Sequence, residues 1–231
     1  MGMDKRIGKI LLNIGVISLL ALAFCNVPPE LPVVPFIEFE SVEFKEVEGP
    51  DSLIIKVFFR DGDGDLGLTS FDTEYPYQPF DVILDENGDT IYYDKDNPLL
   101  PDYNPIDYLI TRDSDGNAID TVLIEINPNH FNYFVRFFEK KNGEYIEFDW
   151  RADPYYQTFD GRYPLLNTEI VDNRLVIRPL EGILKYGMTS SGWLFLFRDT
   201  LKISVMIKDR ALNNSNVVES NDFTLESIRV E

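Results

Sequence analysis

Leu53-Ile54-Ile55-Lys56-Val57-Phe58-Phe59 runs directly into Arg60-Asp61-Gly62-Asp63-Gly64-Asp65-Leu66-Gly67-Leu68, and this junction decides the reading of the fold. The first seven residues are almost all β-branched, aliphatic or aromatic, the side chains that suit a pleated, half-buried surface. The run stops in Asp and Gly, which turn a chain rather than extend it. A short apolar run closed by a turn signal predicts a strand. The same pattern recurs on either side, at residues 36–44, 80–84, 107–111, 118–126, 133–139, 145–150, 174–178, 193–197, 201–208 and 222–230. Between them Glu86-Asn87-Gly88-Asp89, Ser114-Asp115-Gly116-Asn117 and Lys141-Asn142-Gly143-Glu144 supply the positive φ of hairpin turns, so three hairpins are expected. Beyond the first 25 residues no stretch of ten keeps a period of 3.6. Strands joined by turns without intervening helices predict an all-β, antiparallel β-sandwich rather than an α/β fold.

Composition narrows the function. The chain has 231 residues, with 40 Asp and Glu against 21 Lys and Arg, a net charge of −19. Nucleic-acid binding needs a basic surface, so no nucleic-acid partner is expected. One Cys and one His exclude a disulfide framework and a Cys/His zinc site. His130, the only histidine, would have to serve any Ser–His–Asp triad, yet no Gly-x-Ser-x-Gly elbow accompanies it. No Walker loop or dinucleotide fingerprint occurs. A non-enzymatic protein is expected.

The amino terminus reads as an address. Lys5, Arg6 and Lys9 precede an apolar stretch from Ile10 to Phe24, too short to span a bilayer and followed at once by Asn26, Pro28 and Pro29. This is the pattern of a secretory signal, residues 1–24. It ends on the single cysteine, and Leu22-Ala23-Phe24-Cys25 resembles the lipobox of bacterial lipoproteins, with Phe24 standing where that pattern has a small residue. The resemblance implies a diacylated Cys25 that anchors the chain in a lipid bilayer. Asn26 after it is similar to the sorting pattern for the outer membrane. Residues 25–35 hold four prolines and form an extended tether, leaving residues 36–231 for the domain.

The carboxyl-terminal run from Leu201 to Asn216, with Asp209-Arg210-Ala211-Leu212-Asn213-Asn214-Ser215 between two strands, resembles the closing hairpin of bacterial immunoglobulin-like and fibronectin type III-like domains. Together with the Asp-Gly-Asp-Gly-Asp segment, the chain is similar to immunoglobulin-like envelope lipoproteins of Bacteroidota. That resemblance implies an immunoglobulin-like sandwich with a long decorated insertion over residues 70–170. It also implies a lipid-anchored binding or structural module of the envelope, with a glycan or an envelope protein as partner. The alternative is a carbohydrate-binding accessory lipoprotein of a glycan-uptake system.

The acidic loop carries the sharpest chemistry. Asp61, Asp63 and Asp65 at alternate positions repel one another unless a cation lies between them, and the intervening glycines let the backbone curl until they converge. Calcium takes six to eight oxygens, and Asp at alternate loop positions is one way to supply them. The loop departs from an EF-hand, because Leu66 replaces the sixth-position Gly and a strand precedes it. Two readings stay open: a calcium loop on a β scaffold, or a solvated turn. If residues 53–59 and 201–208 exit the sandwich at one pole, Asp209, Asn213 and Asn214 are further ligand candidates. Asp113, Asp115 and Asn117 form a shorter echo, read as a plain turn. Trp150, Tyr155, Tyr156 and Tyr163, with Phe159, Asp153, Asp160 and Arg162 nearby, form either a sugar-stacking platform or aromatic packing beneath a loop.

Overall fold

The computed structural model describes residues 31–230, except 47, 168–169, 172–173, 176–177, 191–192, 194–197 and 199. The signal, Cys25 and the first half of the tether therefore lie outside the described residues. The strands are β1 (Phe36–Lys45), β2 (Asp51–Asp61), β3 (Phe80–Val82), β4 (Tyr108–Arg112), β5 (Ala118–Ile126), β6 (Tyr133–Lys141) and β7 (Glu144–Glu147), followed by β8 (Ile170–Val171), β9 (Arg174–Leu175), β10 (Leu180–Ser190), β11 (Leu201–Ile207), β12 (Val218–Glu219) and β13 (Arg229–Val230). Two short 3₁₀ turns, Pro128–His130 and Glu226–Ile228, complete them. No helix among the described residues is long and apolar enough to cross a membrane.

Two four-stranded sheets, ordered β10-β2-β1-β13 and β12-β11-β6-β7, share one apolar core. The expected all-β, sandwich-like architecture is present. Strand alternation explains the core directly, because successive side chains point to opposite faces. On β2 the inward set is Leu53, Ile55, Val57 and Phe59, and on β11 it is Leu201, Ile203, Val205 and Ile207, all buried. Each such aliphatic side chain contributes roughly 1.5–3 kcal/mol when removed from water. Trp193, Phe137, Phe159 and Trp150 pack against one another, mostly edge to face, at centroid separations of 4.7–5.8 Å. Tyr133 of β6 lies flat on Tyr186 of β10, centroids 4.0 Å apart, joining the two layers.

The three hairpins form, but only one has a two-residue turn. Lys141 pairs with Glu144 across Asn142 and Gly143, both at positive φ. In the other two, Asp85 and Asp113 each bond a residue four places on, and Gly88 and Gly116 take the positive φ. The expected insertion shrinks. Strands β6 and β7 fall inside residues 70–170 yet belong to the second main sheet, and β3, β5 and β4 make the separate three-stranded sheet. Strand β10 was not expected. The run expected at 222–230 is broken by the second 3₁₀ turn into a bridge at Phe223 and the short β13. Those expected at 174–178 and 193–197 lie partly outside the described residues.

Candidate metal centre

The inward phase of β2 does not stop at Phe59. The next inward position is Asp61, with no exposed surface, and the next inward position after Ile207 of β11 is Asp209, 2% exposed. Two core-facing rows, one from each sheet, thus end in a carboxylate. Both exit at the same pole, where Leu66 and Asp209 form an antiparallel bridge. The pole that the sequence suggested is real.

Beyond β2 the chain curls so that one ligand oxygen each of Asp61, Asp63 and Asp65 falls within 4.8 Å of the others. Oxygens bound to one calcium ion at about 2.3–2.6 Å lie within roughly 5 Å of one another, so this spacing fits. Two glycines permit the curl. Gly64 sits at φ +68° with the carbonyl of Arg178 pressed against it, where a Cβ would come within 1.8 Å. At Gly67, φ +102°, a Cβ would come within 2.2 Å of the Pro164 carbonyl oxygen. The backbone N–H of Gly62 donates to the Pro32 carbonyl, which places the end of the tether beside the loop.

The electrostatics are those of a site short of positive charge. Neither carboxylate oxygen of Asp61 has a hydrogen-bond partner among the described residues, and the same holds for one oxygen each of Asp63 and Asp65. Burial, and then the charges of Asp63, Asp65 and Asp209, push the Asp61 carboxyl up to about 7. Burial and the charges of Asp209 and Asp63 push Asp65 up to about 6, against the opposing pull of the Ala211 N–H and Arg210. Asp209 is also raised by burial, although Asn213 donates to it from its backbone N–H (2.7 Å) and its side-chain amide (2.8 Å). Arg210 is engaged nearby in a two-pronged pair with Asp72, at 2.8 and 3.1 Å. Tyr163 lies buried close to the same carboxylates, and its hydroxyl is raised well above its ordinary range by burial, then by Asp61 and Asp209.

Asp61, Asp63, Asp65 and Asp209 are therefore brought together. Asn213 stands beside Asp209 as a hydrogen-bond donor, and Asn214 pairs with Lys208 across the hairpin. The shorter echo differs in kind. One Asp113 oxygen accepts the N–H groups of Asp115 and Asn117, at 2.9 and 2.8 Å, on a fully exposed loop. The Asn117 side-chain amide, which donates to the other oxygen at 3.1 Å, and then these backbone bonds hold the Asp113 carboxyl below its usual range. It needs no cation.

The aromatic set does not gather on one surface. Trp150 and Tyr163 are 6% and 3% exposed, and Trp150 is enclosed by Phe137, Phe148, Tyr155, Phe159 and Trp193. Tyr155 packs on Phe148, while Tyr156, at positive φ, bonds Asp153. These rings cement the 148–163 loop onto the core, because that loop offers the sandwich its apolar side. Above them lies a cleft of about 420 Å³ whose polar lining includes Arg136, Glu147, Asp149, Arg151 and Asp160. Sequence reasoning missed Arg136 and Glu147, since strand residues carry no motif. His130 is held by the Tyr77 carbonyl at 3.0 Å and by Arg162 at 3.2 Å. Set against known proteins, the chain matches no family model, no curated protein and no solved structure.

Proposed function

We propose that this chain is a lipid-anchored module of the cell envelope, an immunoglobulin-like β-sandwich held to the outer membrane by an acylated Cys25. It acts as a non-enzymatic binding or structural domain, and calcium closes its acidic pole. The observation that carries the calcium reading is the Asp61 carboxylate. It is buried at the end of a core-facing row with no hydrogen-bond partner among the described residues, and Asp63 and Asp65 converge on it. An ionised carboxylate in that position costs several kcal/mol unless a positive charge meets it. A divalent ion coordinated by Asp61, Asp63, Asp65 and Asp209 would neutralise the cluster and tie β2 of one sheet to β11 of the other.

Calorimetric titration of calcium into residues 31–231 tests this. Binding with a Kd of about 10⁻⁴–10⁻³ M, the range of extracellular calcium modules, is expected. Asp63→Ala should weaken it at least roughly tenfold by removing a charged ligand. No heat of binding in the wild type would end the reading.

The second reading is a carbohydrate-binding accessory lipoprotein, favoured by the cleft, where two guanidinium groups and three carboxylates surround an aromatic floor. Alternating donors and acceptors beside apolar rings suit a hydroxyl-rich ligand. A glycan array on the wild type and on Arg136→Ala decides between the two.

A further inference from the structure

Beyond the glycines of the acidic loop the chain reads Thr69-Ser70-Phe71-Asp72-Thr73-Glu74-Tyr75-Pro76-Tyr77. Its polar groups brace this segment against the sandwich. Asp72 accepts the Thr69 N–H at 2.6 Å and the Thr69 hydroxyl at 2.8 Å, and it pairs with Arg210. Arg162 donates to the Thr69 and Asp72 carbonyls at 2.9 and 3.1 Å. The Tyr77 hydroxyl donates to the Arg210 carbonyl, and the Asn127 amide donates to the Pro76 carbonyl at 2.7 Å. Residues on both sides of Phe71 and of Tyr75 are thus tied down. Yet Phe71 is 89% and Tyr75 88% exposed, and among the described residues only Leu99 is an equally bare large apolar side chain. A braced loop has little slack to fold two rings back onto the core, so what covers them comes from outside it.

The place of the loop says what that is. Asp72 and Tyr77 are tied to Arg210, which follows Asp209 and its bridge to Leu66, so the rings stand at the acidic pole. The end of the tether meets the same pole, where Gly62 donates to the Pro32 carbonyl, and it adds Val33 and Val34, 57% and 49% exposed. From Pro32 back to Cys25 is seven residues, at most about 25 Å of extended chain. An acylated Cys25 therefore holds this end of the sandwich within that reach of a bilayer. We propose that Phe71 and Tyr75 form an aromatic foot that inserts into the headgroup region of the membrane and fixes the orientation of the domain upon it. The foot rests on the lipid anchor of the proposed function and is independent of calcium.

Physical chemistry selects the surface. Aromatic rings, above all those with a polar tip such as Tyr75, settle at the boundary between headgroups and acyl chains. Two acyl chains already supply stable attachment, so the rings add direction more than affinity. Exposed Glu74 stands between them, and the chain's net charge of −19 repels anionic headgroups, which leaves a zwitterionic lipid surface as the occupant.

The full acylated chain in phosphatidylcholine vesicles tests this, with bromine on the acyl chains as the quencher of tryptophan emission. The native Trp150 and Trp193 are buried, 6% and 0% exposed, and supply a background that lipid does not reach. Phe71→Trp should add an emission that brominated lipid largely removes, and Tyr75→Trp repeats the test should the first variant misfold. Ile119, 59% exposed, lies at the opposite end of β5 from the Asn127–Pro76 contact, and Ile119→Trp should add an emission that the lipid leaves intact. Flotation with the vesicles reads the anchor separately. A chain that does not float overturns the anchor and the foot together, whereas a floating chain in which neither ring position is quenched overturns the foot alone. Equal quenching at Ile119→Trp and Phe71→Trp also overturns it, because the domain then has no fixed face toward the bilayer. So do dimers of the Cys25→Ala chain that Phe71→Ser with Tyr75→Ser dissolves, seen by sedimentation, since the rings then meet a second copy.

Discussion

Asp61 occupies a place that strand alternation assigns to an apolar side chain, and that placement was legible in the sequence. Counting by twos from Leu53 reaches it after Phe59, and counting by twos from Leu201 reaches Asp209 after Ile207. The aromatic rings were harder to place. Trp150 and Tyr163 sit in a loop without periodicity, so nothing along the chain says which side of the loop meets the core. The raised carboxyl values of Asp61 and Asp65 carry a consequence for metal-free protein. In the unfolded chain these groups ionise near 3.8, whereas in the folded one Asp61 holds its proton to about 7 and Asp65 to about 6. Between those values the folded state binds more protons than the unfolded state, so stability must fall as pH rises. In a chelator, urea denaturation should therefore show loss of stability from pH 4 to pH 7, as the two carboxyls titrate. With calcium bound the carboxylates stay ionised and the loss should vanish. A chelator profile that rises over this window would contradict the placement of Asp61.

At the scale of elements, two Asp-rich loops of similar composition behave differently because of what precedes them. The Asp113 loop joins β4 to β5 on an exposed sheet, where backbone N–H groups satisfy its carboxylate. The Asp61 loop leaves the sandwich core, where neither oxygen of Asp61 has a hydrogen-bond partner among the described residues. Asp115→Ala should accordingly leave the calcium response intact and change stability by less than about 0.5 kcal/mol, as surface substitutions do. A lost calcium response in that variant, measured by melting with and without the ion, would mean that the wrong loop was chosen. Strand β10 escaped notice for a different physical reason. Gly182 and Gly187 interrupt its run, and glycine weakens any strand signal. Its pairing with β2 over eleven successive positions supplies in tertiary contact what local preference lacks.

At the scale of the molecule, the acidic charge is concentrated on the 70–126 layer while the tether meets the sandwich beside the acidic pole. The sandwich was legible because period-two runs and Gly-containing turns recur along the chain. The limits of the insertion were not, because β6 reads like any other strand and only its pairing with β11 assigns it to the main sheet. For the anchor, Cys25→Ala should move the protein from the membrane fraction to the soluble fraction and remove fatty-acid label from it. Retention in the membrane would contradict lipidation at Cys25. The calcium clamp between the sheets is the central claim, and thermal melting of the wild type and Asp61→Asn, each in chelator and in about 10 mM calcium, tests it most directly. An ion that binds only the folded state at a Kd of about 10⁻⁴–10⁻³ M adds roughly 1.4–2.7 kcal/mol at that concentration, a rise of several degrees for a domain of this size. Asp61→Asn keeps the shape and removes the buried charge, so in chelator it should melt at or above the wild type, and calcium should barely shift it. Equal wild-type melting temperatures in calcium and chelator, or an unchanged calcium shift in Asp61→Asn, would contradict the account.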